Sequence, residues 1–409
     1  METIHNYERR MQNLVNRVYK ADIPEENKQL MIKFDQAMLL LENLSLPRRI
    51  KLLESVLALA KNLLRKNFKE IQIDDIKDCL RALEERDYSP WTKSGYKVTI
   101  KKFFKWLILG DKENETKEYP ELVKWIRIIV KRKDQPRVQA SAILTTQEIE
   151  KLISVAFLPR DRAFISILYE LGARISEVGN LRIKDFTRDE YSYIVDLSGK
   201  TGHRTPRIVI SDPYVTEWLN SHPLRDNPEA PVWVFHDNST HTFKKLNYPG
   251  LRAIVLRLKE KAGIKKRVYT HLFRHSRVTH LLAKGLINEA QAKVYFGWTP
   301  DSKMLAEYSH LICGDANDAM LQINGIKKKE ETIVVQTKKC PRCQRINTPD
   351  AKFCVFCSSV LDEKEAFLQD KEKAVTDILL NMLLKDSEVQ NRLSKILNGM
   401  ELSKLKEII

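Results

Sequence analysis

Over the first third of the chain, apolar residues recur every three or four positions, and no alternating strand pattern appears. After Pro47, the residues Ile50, Leu53, Leu57, Ala60 and Leu64 share one helical face, and Asp74 opens a shorter repeat through Ile76, Leu80 and Leu83. Ser89-Pro90, a capping residue followed by proline at the first helical position, starts a longer helix with Tyr96, Ile100, Phe103 and Leu107 along one side. Residues 1–130 are therefore predicted to form a helical domain. Across 131–142 the period lapses and charge gathers around Pro136, which reads as a basic interdomain linker able to cross a phosphate backbone. Thr145-Thr146-Gln147-Glu148 then supplies a cap for the next helix.

Residues 143–325 read as a mixed domain. The helical repeat through Phe164, Ile167, Leu168 and Leu171 stops at Gly172, and a new turn begins in which Ile175 and Val178 pack while Arg174 faces away. Segments 191–197 and 207–210 are predicted as two short strands, with 198–204 as the loop between them and Lys200 at its tip, flanked by Gly199 and Gly202. Helices return over 251–262, 271–283 and a segment ending near Phe296. The fold class expected is mainly α with a small antiparallel sheet. Beyond it, 336–361 carries four cysteines, and 362–409 forms an amphipathic helical tail with Val375, Ile378, Leu379, Met382, Leu383, Val389, Leu393, Ile396 and Leu397, broken near Asp386-Ser387. That stripe needs a cover, either its own chain or a neighbouring protomer.

Charge narrows the function. Seventy lysines and arginines against fifty-four acidic residues leave a formal +16 over 409 residues, an excess that calls for a polyanion, nucleic acid first. The start of the chain has no apolar signal core and no segment matches a membrane span, so a cytoplasmic protein is expected. Lys93, Lys97, Lys101 and Lys105, four apart on one predicted helix, are candidate contacts to DNA phosphates. Among the six cysteines, Cys340-x-x-Cys343 and Cys354-x-x-Cys357 have metal-ligand spacing, and a soft four-thiolate set favours structural Zn²⁺. A closed site of that kind leaves no position for substrate. Cys79 and Cys313, in apolar surroundings, are expected to pack inertly.

The residues with chemistry fall in the mixed domain. Two guanidiniums, Arg174 and Arg274, offer fixed forks of donors to a phosphodiester's non-bridging oxygens, and Tyr308 is a candidate nucleophile. Tyr295, its rival, is expected to pack in the helix before Gly297. The series Ala173-Arg174-Ile175-Ser176-Glu177-Val178, Asn180-Leu181-Arg182, Gly199-Lys200, His271-x-x-Arg274-His275, Gly297-Trp298 and Tyr308 resembles the tyrosine recombinase, or phage integrase, family over about residues 25–312.

That resemblance implies a site-specific recombinase or integrase. It would have a helical core-binding domain and a catalytic domain closing as a clamp on double-stranded DNA. Cleavage would pass through a 3′-phosphotyrosyl bond on Tyr308 and a Holliday junction, without ATP or a catalytic metal, in a homo-oligomer, a tetramer on two duplexes. Lys200 would protonate the leaving 5′ oxygen, His271 would support proton transfer, and Trp298 would donate its indole N–H where many relatives have histidine. Tyr308 stands ten residues past Trp298, one more than the resemblance implies, which leaves open whether it acts in its own site or a neighbour's. The cysteine segment resembles the short zinc ribbons appended to archaeal-type proteins. A type IB topoisomerase and a non-catalytic DNA-binding regulator on the same fold are the alternatives.

Overall fold

The computed structural model describes residues 3–110, 112, 116–130, 139–199, 202–283, 285–302, 304, 308, 320–321, 324, 337–385 and 389. The chain divides into two compact units, Met1–Val138 and Gln139–Ile409, the division falling inside the expected linker. Linker residues 131–138 lie outside the described residues, while Ala140–Ala142 form a short 3-10 turn.

The first unit consists of α1 (Tyr7–Tyr19), α2 (Glu25–Leu40), α3 (Leu46–Asn62), α4 (Ile73–Glu85), α5 (Pro90–Leu109) and the single turn α6 (Glu121–Lys124). Local chemistry sets the helix starts. The Asn6 side chain accepts from the Arg9 N–H, and Ser89 accepts from the Thr92 N–H with Pro90 behind it. The α3 stripe read from the sequence is buried from Ile50 to Leu64. It meets an aromatic cluster in which the Phe103 ring centre lies 5.1 Å from Phe34 and 4.8 Å from Phe68. Cys79 lies in this core, and burial pushes its thiol pKa up to about 12, in keeping with inert packing. Cys313 lies outside the described residues.

In the second unit, α7 (Thr146–Ser154), α8 (Pro159–Glu170), α9 (Ile175–Gly179), α10 (Asp212–Asn220), α11 (Tyr248–Lys261), α12 (Thr270–Ala283) and α13 (Glu289–Phe296) surround a core to which nearly every residue of α8 contributes. The expected capping box is present: Thr145 Oγ1 accepts from the Glu148 N–H and Glu148 accepts from the Thr145 N–H.

The strands differ from the expectation. β1 (Phe186–Arg188) pairs antiparallel with β2 (Tyr193–Val195), and the stretch predicted as a loop is itself a hairpin, β3 (Leu197–Gly199) against β4 (Gly202–Arg204). Residues 207–210 form no strand beyond an isolated bridge from Arg207 to Ile194. The reason is Glu170, whose buried carboxylate accepts the N–H groups of Val209, Ile210 and Ser211 at 2.8, 2.9 and 2.7 Å and so takes donors a ladder would need. A further hairpin joins β5 (Val234–Asp237) and β6 (Thr242–Lys245).

After the short hairpin β7 (Lys338–Lys339) and β8 (Ile346–Asn347), the chain ends its described part in α14 (Glu363–Lys385). The cysteine segment belongs to the second unit: β8 packs on α10, and the Arg188 guanidinium lies 4.4 Å from the Tyr193 ring centre and 4.5 Å from that of Phe356. Along α14, Val375, Ile378, Leu379, Met382 and Leu383 are each more than half exposed among the described residues. The expected break at Asp386-Ser387 and residues 390–409 lie outside the described residues. Among the described residues, no helix is long and apolar enough to cross a membrane.

Candidate active site and metal centre

Helix α12 carries the centre of the site. His271, Arg274, His275 and Val278 fall at helical spacing on one side of it, and Arg274 is 1% exposed. A buried guanidinium needs acceptors. Nη1 of Arg274 donates to the Gly172 carbonyl at 2.9 Å and Nη2 to the Phe296 carbonyl at 2.8 Å, which ties the ends of α8 and α13 to α12. Burial, then the cations of Arg174 and Arg204, push its pKa down to about 10, so it remains charged at neutral pH.

Arg174 stands at the start of α9, where its Nη1 donates to Glu177 Oε1 at 2.7 Å and its backbone N–H donates to Oε2 at 3.0 Å. Glu177 also accepts from Nη2 of Arg204 on β4 at 3.1 Å. Burial works to raise the Glu177 pKa; the Arg204 charge and the Arg174 contacts outweigh it and leave the carboxyl below its ordinary value. Two guanidiniums thus share one carboxylate, and the charge of Arg274 is near enough to feel both, an excess of positive charge suited to a phosphate.

Tyr308 is buried and its phenol meets Nδ1 of His275 at 2.7 Å, while its ring stacks on Trp298 with 6.2 Å between centres. Trp298 is positioned by the end of α13: Gly297 adopts φ +61, and the Trp298 N–H returns to the Lys293 carbonyl at 2.8 Å. A Cβ at 297 would fall 2.4 Å from Arg204 Nη1, the end of a side chain able to shift, so it is the positive φ that calls for glycine there. Burial, then His271 and Arg274, push the His275 pKa down to about 4. His271, open on one side and edge-on to His275 at 4.6 Å, is lowered by desolvation, then by Arg274 and Arg174. Tyr295 instead donates to the Glu170 carbonyl at 2.9 Å, and burial raises its pKa to about 12.

The site therefore brings together Arg174, His271, Arg274, Trp298 and Tyr308. Lys200 lies outside the described residues, between the ends of β3 and β4. His275, Glu177 and Arg204 have no role that the sequence alone assigns. The first two lie within the motifs quoted above, and only the hairpin register brings Arg204 to Glu177.

The four lysines of α5 are engaged by their own unit. Lys93 donates to the Glu84 carbonyl at 2.6 Å, Lys97 pairs with the Glu84 carboxylate at 2.7 Å, and Lys101 and Lys105 donate to the carbonyls of Ile126 and Thr116 at 3.2 and 2.8 Å. Lys101 also lies 4.0 Å from the Tyr119 ring centre.

Cys340, Cys343, Cys354 and Cys357 place their sulfurs all within 4.8 Å of one another, with Cys340–Cys357 and Cys343–Cys354 at 3.6 Å. A tetrahedron with metal–sulfur bonds of about 2.3 Å has edges of about 3.8 Å, so the set fits a metal ion. Each pair sits in the same turn: Gln344 and Ser358, each four residues past the first cysteine, have positive φ and return their N–H to Cys340 and Cys354 at 2.9 Å.

The phage integrase family model matches residues 142–312. The chain is 34% identical to tyrosine recombinase XerA of Pyrococcus furiosus over 147 residues, 35% of this chain and about half of that protein (49%). It is 32% identical to a tyrosine recombinase of Thermosipho africanus over 230 residues, 54% of this chain and 74% of that one. In fold it is similar to XerH site-specific recombinase bound to palindromic difH substrate, with TM-score 0.51 and 19% identity over 78% of this chain and 89% of that one. It is also similar to a lambda integrase tetramer bound to a Holliday junction, with TM-score 0.51 and 14% identity over 67% and 78% of the two chains. With the motif series gathered on α9, α12 and the Gly297-Trp298 turn, these likenesses establish that the chain belongs to the tyrosine recombinase (phage integrase) family of DNA-cleaving and rejoining enzymes.

Proposed function

We propose that the chain is a site-specific recombinase in which Tyr308 attacks a DNA phosphodiester held by Arg174 and Arg274. The contact between the Tyr308 phenol and His275 Nδ1 at 2.7 Å, one residue from Arg274, carries this reading. Burial, His271 and Arg274 keep His275 neutral at pH 7, so its Nδ1 can accept from the phenol and orient it, while the phenol proton passes to solvent as the oxygen attacks. The Tyr308 oxygen bonds to phosphorus as the bond to the 5′ oxygen breaks, and the leaving oxygen takes a proton from Lys200. The guanidiniums and His271 offset charge on the non-bridging oxygens, and the Trp298 indole N–H adds a donor. Rejoining reverses these steps with a 5′ hydroxyl from the exchanged strand, so the phosphotyrosyl bond stores the energy and neither ATP nor a catalytic metal is needed. Because Tyr308 is 1% exposed, DNA binding must uncover it before attack.

On this reading, residues 1–130 are the core-binding domain, 131–142 the linker and 143–325 the catalytic domain. The α5 lysines meet phosphates by exchanging their present acceptors, Glu84 among them. The segment 336–361 is a ribbon whose Cys340, Cys343, Cys354 and Cys357 hold structural Zn²⁺, which joins the two turns of a segment too small to form its own core. The exposed apolar side of α14 supports docking on a neighbouring protomer of a tetramer that exchanges strands through a Holliday junction, and DNA as substrate puts the protein in the cytoplasm.

A nicked suicide duplex, from which the cleaved end diffuses away, tests the proposal. Wild type should accumulate a covalent protein–DNA adduct and Tyr308→Phe none. Absence of any adduct would favour a DNA-binding regulator, while plasmid relaxation by a monomer would favour a topoisomerase.

A further inference from the structure

Arg204 belongs to none of the motifs that mark this site, yet it is built into it. Its side chain is 10% exposed, Nη2 donates to Glu177 at 3.1 Å, and its Nη1 occupies the space beside Gly297. Its Nε is buried without a hydrogen-bond partner, as are those of Arg162 and Arg188, so it is the two placed Nη groups that tie Arg204 to the site. The strand before it approaches the same carboxylate: a Cβ at Gly199 would fall 2.5 Å from Glu177 Oε1. Glu177 is thus held from one side by Arg204 and in turn holds Arg174 by two bonds, to its guanidinium and its backbone N–H.

We infer that Arg204 is a positioning residue that acts through Glu177 on Arg174, fixing the Arg174 fork for a charged phosphate. The inference rests on the assignment of Arg174 to the phosphate. Two physical effects follow from losing Arg204. Glu177 is left with Arg174 as its one guanidinium partner, so it draws that guanidinium more strongly onto itself and away from a phosphate oxygen. The Gly297-Trp298 turn also loses the group packed against it.

A neutral substrate separates this role from general support of the fold. Replacing a non-bridging oxygen of the scissile phosphate by methyl removes the charge that the Arg174 fork must meet, while leaving attack by Tyr308 and departure of the 5′ oxygen in place. Adduct formation by the full chain would be timed on suicide duplexes with an ordinary phosphate or a methylphosphonate at the cleaved position. Arg204→Gln should slow the phosphate reaction by about 10- to 100-fold, less than the roughly 10²- to 10³-fold of removing a direct donor because Arg204 acts through Glu177. On the methylphosphonate it should stay within about threefold of wild type, by the same reasoning.

Equal loss on both substrates would show general support and overturn the inference, as would no loss on either. If Arg204→Gln does not fold, the Glu177→Gln/Arg204→Gln double variant, which leaves no unpaired buried carboxylate, takes its place: loss on the phosphate alone supports the inference, and equal loss or no loss overturns it. The wild-type adduct, absent in Tyr308→Phe, reports separately on the proposed function.

Discussion

The cations of the two units lie in opposite circumstances. On α5, four lysines at regular spacing look from the sequence like a ridge for phosphates, and each ammonium has been given an acceptor by its own unit, as with Glu84 for Lys93 and Lys97. In the second unit, Arg174 and Arg204 share one carboxylate, Glu177, and Arg274, tied to two backbone carbonyls, adds a third cation close by. Spacing along a helix does not say whether a positive group is already satisfied. An excess of guanidinium over carboxylate in a confined, part-buried space marks where an anion is to be bound.

Arg274→Ala is the strongest way to break this comparison. It should reduce adduct formation on the order of 10²- to 10³-fold, the usual effect of removing a donor to developing oxyanion charge. It should also lower stability, because two buried carbonyls lose their donor, at about 1–3 kcal/mol each. Arg274→Lys keeps the charge but cannot bridge both carbonyls and should recover little. Single-turnover cleavage with a thermal melt measures both effects; a wild-type cleavage rate in Arg274→Ala would remove the phosphate site from α12.

The metal centre sharpens the contrast, since there the anionic groups are the ones gathered together. Native mass spectrometry should find one Zn²⁺ per chain, lost in Cys340→Ser or with a strong chelator. If Zn²⁺ joins the two cysteine turns as proposed, its loss should unfold this segment and release Arg188 from the Phe356 ring. Hydrogen exchange should then rise across residues 337–361 and β1 while α12 keeps its protection. Fast exchange in α12 on metal removal would mean instead that the ribbon supports the active site.

How much of the molecule is legible in its sequence depends on how local each cause is. The α3 stripe from Ile50 to Leu64 and the cap at Thr145 are readable because a helix face and its first turn are encoded within a few residues. The proposed catalytic series is readable because side-chain type is itself the chemistry, and its order along the chain does not depend on the fold. The hairpin is not, because Glu170, some forty positions upstream, removes the donors of 209–211 from any ladder. His275 is hidden for a similar reason: beside Arg274 it reads as one more polar residue on the helix, and its partner Tyr308 is thirty-three residues away.

The pair of histidines gives a smaller effect with a definite sign. His275, at about 4, and His271 are lowered in the fold, so below the unfolded value near 6.5 the unfolded chain binds more protons than the native one. Their burial therefore costs no stability above about pH 6.5 and an increasing amount as pH falls toward 4. The groups facing His275 are Tyr308, His271 and Arg274, the last repelling its proton. Urea midpoints for wild type should drop between pH 7 and pH 5 by more than those of His275→Asn, whose amide keeps an acceptor near the phenol. An identical drop in the two proteins would mean that His275 titrates normally.

The smallest effect expected is at α5, and it tests the comparison from the other side. If the lysines meet DNA at all, they do so by giving up acceptors they already have, so each phosphate contact is partly offset by a lost internal one. Lys101→Ala and Lys105→Ala should each change the slope of log binding constant against log salt by less than the roughly 0.9 expected for a full phosphate contact. Lys97→Ala should behave likewise, and Glu84→Gln, which releases Lys97 from its ion pair, should strengthen binding and steepen the slope. Filter binding over a salt series on one duplex reads all four. A full unit of slope lost with Lys101 would show that DNA displaces the Ile126 carbonyl at little cost, and the four lysines would then belong with the arginines as a phosphate-binding surface.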